Sequence, residues 1–181
     1  GRALRQDDVL AVGAAAGAGG PALDRAPGRS GNAIAFPKWA LNQHIEQLGR
    51  APQIVRILPG RAREDFPAPA RATLLGETFR IGADSNRMGF RLDGAKIEAG
   101  QSLEVLSGAV GFGTIQVPPG GQPIVLMADR QTVGGYPRIA EVAGVDLHLL
   151  AQLKPGDRLR FEETTLAAAQ ALYLKREREI A

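Results

Sequence analysis

Three polar clusters interrupt otherwise apolar stretches of the chain, and their residue types set the chemistry open to it. The first is Asp84-Ser85-Asn86-Arg87-Met88-Gly89-Phe90-Arg91. Taken alone, it reads as a turn with Asx capping that leads into a strand. The second is Gly113-Thr-Ile-Gln116-Val-Pro118-Pro119-Gly-Gly-Gln122-Pro123. The two prolines and two glycines of Pro118-Pro119-Gly120-Gly121 fix a rigid hairpin-like loop, a way of presenting backbone carbonyls and amides to a ligand. Gln116, one residue before the apolar Val117, can point to either face of its strand. The third is Ala128-Asp129-Arg130-Gln131-Thr132-Val133-Gly134-Gly135-Tyr136-Pro137. Directly after the apolar run 124–127 it supplies a carboxylate, a guanidinium, an amide, a hydroxyl, two glycines and a phenol. One reading is a tight strand-to-loop connection stabilised by Asp129. The favoured reading is a binding pocket, because the glycines let backbone approach a ligand closely.

Composition removes most competing chemistries. The chain has no cysteine, so thiolate nucleophiles, disulfides and Cys-based zinc sites are excluded. Its only histidines are His44 and His148, which argues against a metal site or a His-based triad. Neither a Gly-x-Ser-x-Gly elbow nor a Gly-x4-Gly-Lys-Ser/Thr loop occurs. What remains is carboxylates, amides, hydroxyls, guanidinium groups and backbone. The formal charge is only +3, and no basic run carries interleaved aromatics. No nucleic-acid partner is expected. No window of about 18 apolar residues is available to span a membrane. The cysteine-free composition fits a reducing compartment, and a cytoplasmic location is expected.

The elements that must position these clusters are mostly short strands. Residues 9–12 read as one, followed by a Gly/Ala-rich linker from Gly13 to about Gly31. Leu41, Ile45 and Leu48 fall at helical spacing after Pro37. Further strands are expected over 53–58, 77–81, 88–92, 103–106, 113–117, 123–127 and 158–161, separated by Gly- and Pro-containing turns. Short helices are expected over 69–75 and 145–153. A packing helix is expected over 165–180, with Thr165 as its cap and Leu166, Ala169, Leu172, Tyr173 and Ile180 on one side. Many short strands with few helices indicate a β-rich barrel or sandwich. The expected division is a region over 1–52, the end of a preceding part with its linker, and a domain over 53–181.

The stretch Gly113-Thr-Ile-Gln-Val-Pro-Pro-x-Gly-Gln-Pro-Ile-Val-Leu-Met-Ala-Asp-Arg-Gln-Thr-x-Gly-Gly-Tyr-Pro137 resembles the signature of a known family. That family contains the C subunit of 5-oxoprolinase, KipA and allophanate hydrolase subunit 2, relatives of the carboxyltransferase domain of urea carboxylase. Ser85-Asn-Arg-Met-Gly-x-Arg-Leu92 resembles its second hallmark, and the latter portion of the family is the part covered. Val133 departs from a small hydroxylated residue, and Gly120-Gly121 from an acidic residue followed by Gly. The resemblance implies a mainly β, cyclophilin-like barrel with a few short helices and a C-terminal helix. It implies one subunit of a 5-oxoprolinase complex, inactive alone, whose partners are the A subunit and the KipI-like B subunit. Such a complex opens 5-oxoproline to glutamate in an ATP-dependent reaction. Two alternatives stay open: a carboxyltransferase component using carboxybiotin, and a KipA-type regulator that binds a KipI-like kinase inhibitor.

The resemblance also suggests roles. Asp129 would accept a hydrogen bond from a substrate amide, and Gln131 and Gln116 would orient its carbonyl and nitrogen. Arg87 would hold a carboxylate or phosphate with its planar fork, and Tyr136 would close the site. Asn86 and Pro118 complete the substrate-binding set. Arg91 reads as a strand residue paired with Asp93 or Glu104. No metal ligand is assigned.

Overall fold

A computed structural model of the chain describes residues 52–99 and 106–180, with Val9 standing alone before them. Two compact units divide the chain, Gly1–Ile45 and Glu46–Ala181, and all described residues except Val9 belong to the second. The strand expected at 9–12, the linker, the helix over 41–48 and most of the strand at 103–106 lie outside the described residues.

Seven strands close a barrel. They are β1 (Gln53–Pro59), β2 (Thr78–Ile81), β3 (Gly89–Asp93), β5 (Thr114–Gln116), β6 (Ile124–Leu126), β8 (Arg138–Val142) and β9 (Arg158–Glu163). Their order around the barrel is β1-β8-β5-β6-β3-β2-β9. Between them in sequence, β4 (Gly108–Ala109) and β7 (Val133–Gly134) form a separate two-stranded ribbon. The mainly β barrel expected from the sequence is therefore the fold.

Closure follows from period-two patterning. Val55 lies opposite Phe161, Phe79 opposite Leu159, Ile81 opposite Leu92, Phe90 opposite Val125 and Ile115 opposite both Val125 and Ala140. All of these are buried, and they form one core cluster. A shift of one residue in any strand would turn this set out to solvent. Phe79 and Phe161 meet in it with ring centroids 5.8 Å apart. The closing pair is β1 with β9, parallel and from opposite ends of the described chain.

Helix α1 (Ala68–Gly76) starts after Pro67, with Pro69 in its first turn, and buries Ala70 and Leu74. The helix expected over 145–153 is divided. A 3-10 turn (Gly144–Asp146) precedes α2 (Leu147–Ala151), and the N–H groups of Gln152 and Leu153 donate to Leu149 and Leu150 in tightened i,i+3 bonds. Pro155 disfavours helical backbone at Lys154, so the helix closes early.

Helix α3 (Leu166–Ile180) is capped by Thr165, whose hydroxyl accepts from Ala168 N–H at 3.2 Å. Only part of its expected apolar side packs. Ala169 and Leu172 meet Ala143 and Val145, while Leu166 and Tyr173 remain exposed. The surface they face is a single 3-10 turn, too narrow to cover a full helical stripe.

Asp146 pins this corner to the barrel. It is fully buried, accepts from Arg56 N–H at 2.8 Å, and holds the Arg56 guanidinium through Nε at 2.9 Å and Nη2 at 2.5 Å. These hydrogen bonds raise the arginine pKa above its ordinary value against the opposing effect of burial.

Candidate functional site

The barrel's outer face is set by the same pleat as its core. Ile115, Val125 and Phe90 point inward in register, so Gln116, Ile124 and Arg91, one residue on in each strand, form a row on the outside. Gly89 and Leu126 form the next row. Together with Asp84, Asn86, Met88, Gln131 and Tyr136, these rows line a groove of about 430 Å³. Gln116, Gln131 and Tyr136, which the sequence placed in two separate clusters, and Asn86 from a third, meet in one concavity.

Gln116 points outward yet is 1% exposed, because the β4–β7 ribbon lies over it. A Cβ on Gly134 would come within 2.5 Å of Gln116 Nε2 and 3.2 Å of Val110 Cγ1. The glycine that the sequence offered for close approach to a ligand thus admits the protein's own glutamine. Gln116 Nε2 donates to the Tyr136 carbonyl at 3.3 Å. Because a carbonyl oxygen only accepts, this bond fixes the amide's orientation and turns Oε1 away as an acceptor.

Neighbouring polar groups brace the ribbon. Thr114 donates to Glu141 Oε2 at 2.7 Å and accepts from Gly111 N–H at 3.0 Å. Arg138 donates to the Ala109 carbonyl at 2.6 Å. Burial pushes the Glu141 carboxyl pKa up, and the Thr114 bond and the Arg138 charge only partly offset this.

Asn86 is engaged locally: its Oδ1 accepts from Met88 N–H at 2.8 Å, the Asx turn suggested by pattern. Pro118 does not line the groove. It belongs to the β5–β6 hairpin loop, where its carbonyl accepts from Gly121 N–H at 2.9 Å and Gly121 takes φ +80°.

Arg87 and Asp129 also lie outside the groove lining, and they hold each other. Arg87 Nε and Nη2 donate to Asp129 Oδ2 and Oδ1 at 2.7 and 3.1 Å, and Asp129 N–H donates to the Arg87 carbonyl at 2.9 Å. The hydrogen bond from Arg87 lowers the Asp129 pKa and itself raises that of Arg87. The groups expected to hold a substrate anion and a substrate amide thus fasten the β3 entrance to the end of β6. Of the two partners expected for Arg91, only Asp93 is among the described residues. It lies with Arg80, at 3.4 Å. Among the described residues the Arg91 guanidinium has no hydrogen-bond acceptor or ion-pair partner. Sequence pattern assigned Arg91 only a strand role, and the signal for its place in the groove was its register one step beyond Phe90.

The barrel and groove belong to a defined class. The carboxyltransferase domain family, subdomain A and B, matches residues 1–163, and the chain belongs to this family. Among named relatives, it is 42% identical to the 5-oxoprolinase C subunit of Haemophilus influenzae over 142 residues, covering 75% of this chain and 46% of that protein. It is 39% identical to the 5-oxoprolinase C subunit of Escherichia coli over 115 residues, 64% of this chain and 37% of that one. The chain therefore spans less than half the length of these relatives. The fold is similar to part of the Kluyveromyces lactis urea carboxylase structure, with a TM-score of 0.67 at 21% identity over 80% of this chain and 13% of that one. No helix among the described residues is long and apolar enough to cross a membrane.

Proposed function

We propose that this chain supplies part of the C subunit of an ATP-dependent 5-oxoprolinase, which opens 5-oxoproline to glutamate together with its A subunit and its KipI-like B subunit. The observation that supports this most is the groove itself, lined by three side-chain amides, in a chain similar to named 5-oxoprolinase C subunits. A lactam offers one N–H donor and one carbonyl acceptor. Gln116 Oε1 suits the donor, and the Gln131 amide nitrogen suits the carbonyl. Fixed donors of this kind favour a reaction in which charge grows on the carbonyl oxygen as the ring opens. Tyr136 anchors Gln116 through its backbone carbonyl. Its exposed ring stands at the groove's edge. The Arg87–Asp129 pair serves as a strut that holds the groove's entrance. ATP enters this reading as a co-substrate of the assembled complex.

The test is glutamate release from 5-oxoproline by the full-length C subunit with its A and B partners, with and without ATP. ATP-dependent release is the expected result. Carboxyl transfer from carboxybiotin to a small amide, the second reading suggested by the family, would appear as label from bicarbonate in the amide product. Stable association with the KipI-like partner and no turnover of either kind would favour the regulatory role and contradict the proposal.

A further inference from the structure

We infer that Arg91 sets the specificity of the groove by holding a carboxylate, so that the ligand is a small lactam bearing an acid group rather than a neutral amide. This rests on the amide-binding reading above and adds to it the far end of the ligand. Gln116, Ile124 and Arg91 are consecutive outward residues on three adjacent strands. Neighbouring strands lie about 4.8 Å apart, so the two polar ends of this row are roughly 10 Å apart at the backbone, with Ile124 between them. The groove therefore runs from an amide, across an apolar floor of Ile124 and Leu126, to a guanidinium. 5-Oxoproline carries the same groups: a lactam, a methylene pair, and a carboxylate on the ring carbon bonded to the lactam nitrogen.

Arg91 suits this role where Arg87 does not. The Arg87 fork is occupied by Asp129, whereas Arg91 lines the groove and makes no ion pair among the described residues. Asp84 also lines the groove but lies within ion-pair distance of no described cation. A planar guanidinium can meet a carboxylate with two parallel hydrogen bonds, which fixes the ring's orientation as well as its charge.

The test is calorimetric titration of the full-length C subunit with 5-oxoproline and with its neutral carboxamide. The wild-type protein is expected to prefer the acid by about ten- to a hundredfold, the range of a charge-assisted hydrogen bond. Arg91→Gln should bring the two affinities together, and Arg91→Lys should restore part of the preference. Arg91 is exposed on the outer face, and circular dichroism of each variant checks the fold. Binding of neither compound, equal binding by the wild type, or an undiminished preference in Arg91→Gln would each overturn the inference. An Arg91-dependent preference without turnover in the assembled complex would support the inference and sink the proposed activity, so the two failures are distinguishable.

Discussion

Among the described residues, two bidentate Arg–Asp pairs stand in contrasting settings. Arg56–Asp146 joins β1 to the start of α2, with the Asp146 side chain 1% exposed and that of Arg56 30% exposed. Arg87–Asp129 joins two loop ends beside the groove, with side chains 79% and 52% exposed. The contacts are alike in chemistry and the surroundings are not. A buried carboxylate left without its partner has no water to replace it, whereas an exposed one rehydrates at once. The first pair should matter to the fold, and the second to the shape of a surface near the site.

The largest expected effect breaks the first pair. Asp146→Ala should lower unfolding stability by about 3 kcal/mol, the lower end of the range for a broken buried pair because the Arg56 tip can reach water. Urea denaturation measures it, and a loss no greater than that of a surface substitution would remove the distinction between the pairs.

Next is Gly134→Ala. Its Cβ would collide with Gln116 and Val110, at an expected overpacking cost of about 1–3 kcal/mol together with weaker 5-oxoproline binding by the full-length protein. Gly144→Ala is the matched control, since a Cβ there meets nothing within 4 Å.

A smaller effect concerns pH. The folded-state pKa of Glu141 is raised by burial, so the folded protein holds this proton more tightly than the unfolded chain. Its contribution is fully favourable below the ordinary value of 4.5 and declines as pH rises through the raised one. Glu141→Gln should gain relative to wild type in thermal melts over that window, while its carbonyl still accepts from Thr114. A constant difference across pH would contradict this.

The smallest effect belongs to the exposed pair. Arg87→Ala should leave the thermal midpoint unchanged in high salt, where exposed pairs are screened. Any difference at low salt has a defined sign. Because the Asp129 pKa is lowered, its contribution is present above the ordinary carboxylate value and is lost as pH falls through the lowered one. A midpoint shift comparable to that of Asp146→Ala would show that the pair is a fold determinant instead.

Much of the barrel was legible in the sequence because its core strands alternate cleanly. Thr78-Phe-Arg-Ile81 and Gly89-Phe-Arg-Leu-Asp93 carry their apolar residues at period two, and their observed bounds fall within a residue or two of expectation. Strand β8 was not legible: Arg-Ile-Ala-Glu-Val follows a polar cluster without a turn to set it apart, and it becomes a strand by pairing with β1 and β5. The β4–β7 ribbon is shorter still, two residues a side, and its existence depends on non-local pairing.

The site was legible by residue type more than by arrangement. Clusters dense in amides and guanidinium groups supplied several of the residues that line the groove. They did not reveal that Arg87 would find Asp129, 42 residues away, or that Gln116 would face outward beneath Gly134. Those outcomes follow from strand register and loop closure, which spacing along one chain does not encode.

The central claim is that the outer groove, with Gln116 at one end, is where the amide is handled. The most direct measurement is 5-oxoproline turnover by the assembled complex carrying Gln116→Leu, a substitution of similar size that removes both amide functions. The account expects turnover to fall by about two orders of magnitude or more, as when a positioned polar contact is lost from a transition state, while the complex still assembles and melts as a folded protein. Turnover at the wild-type level would contradict it.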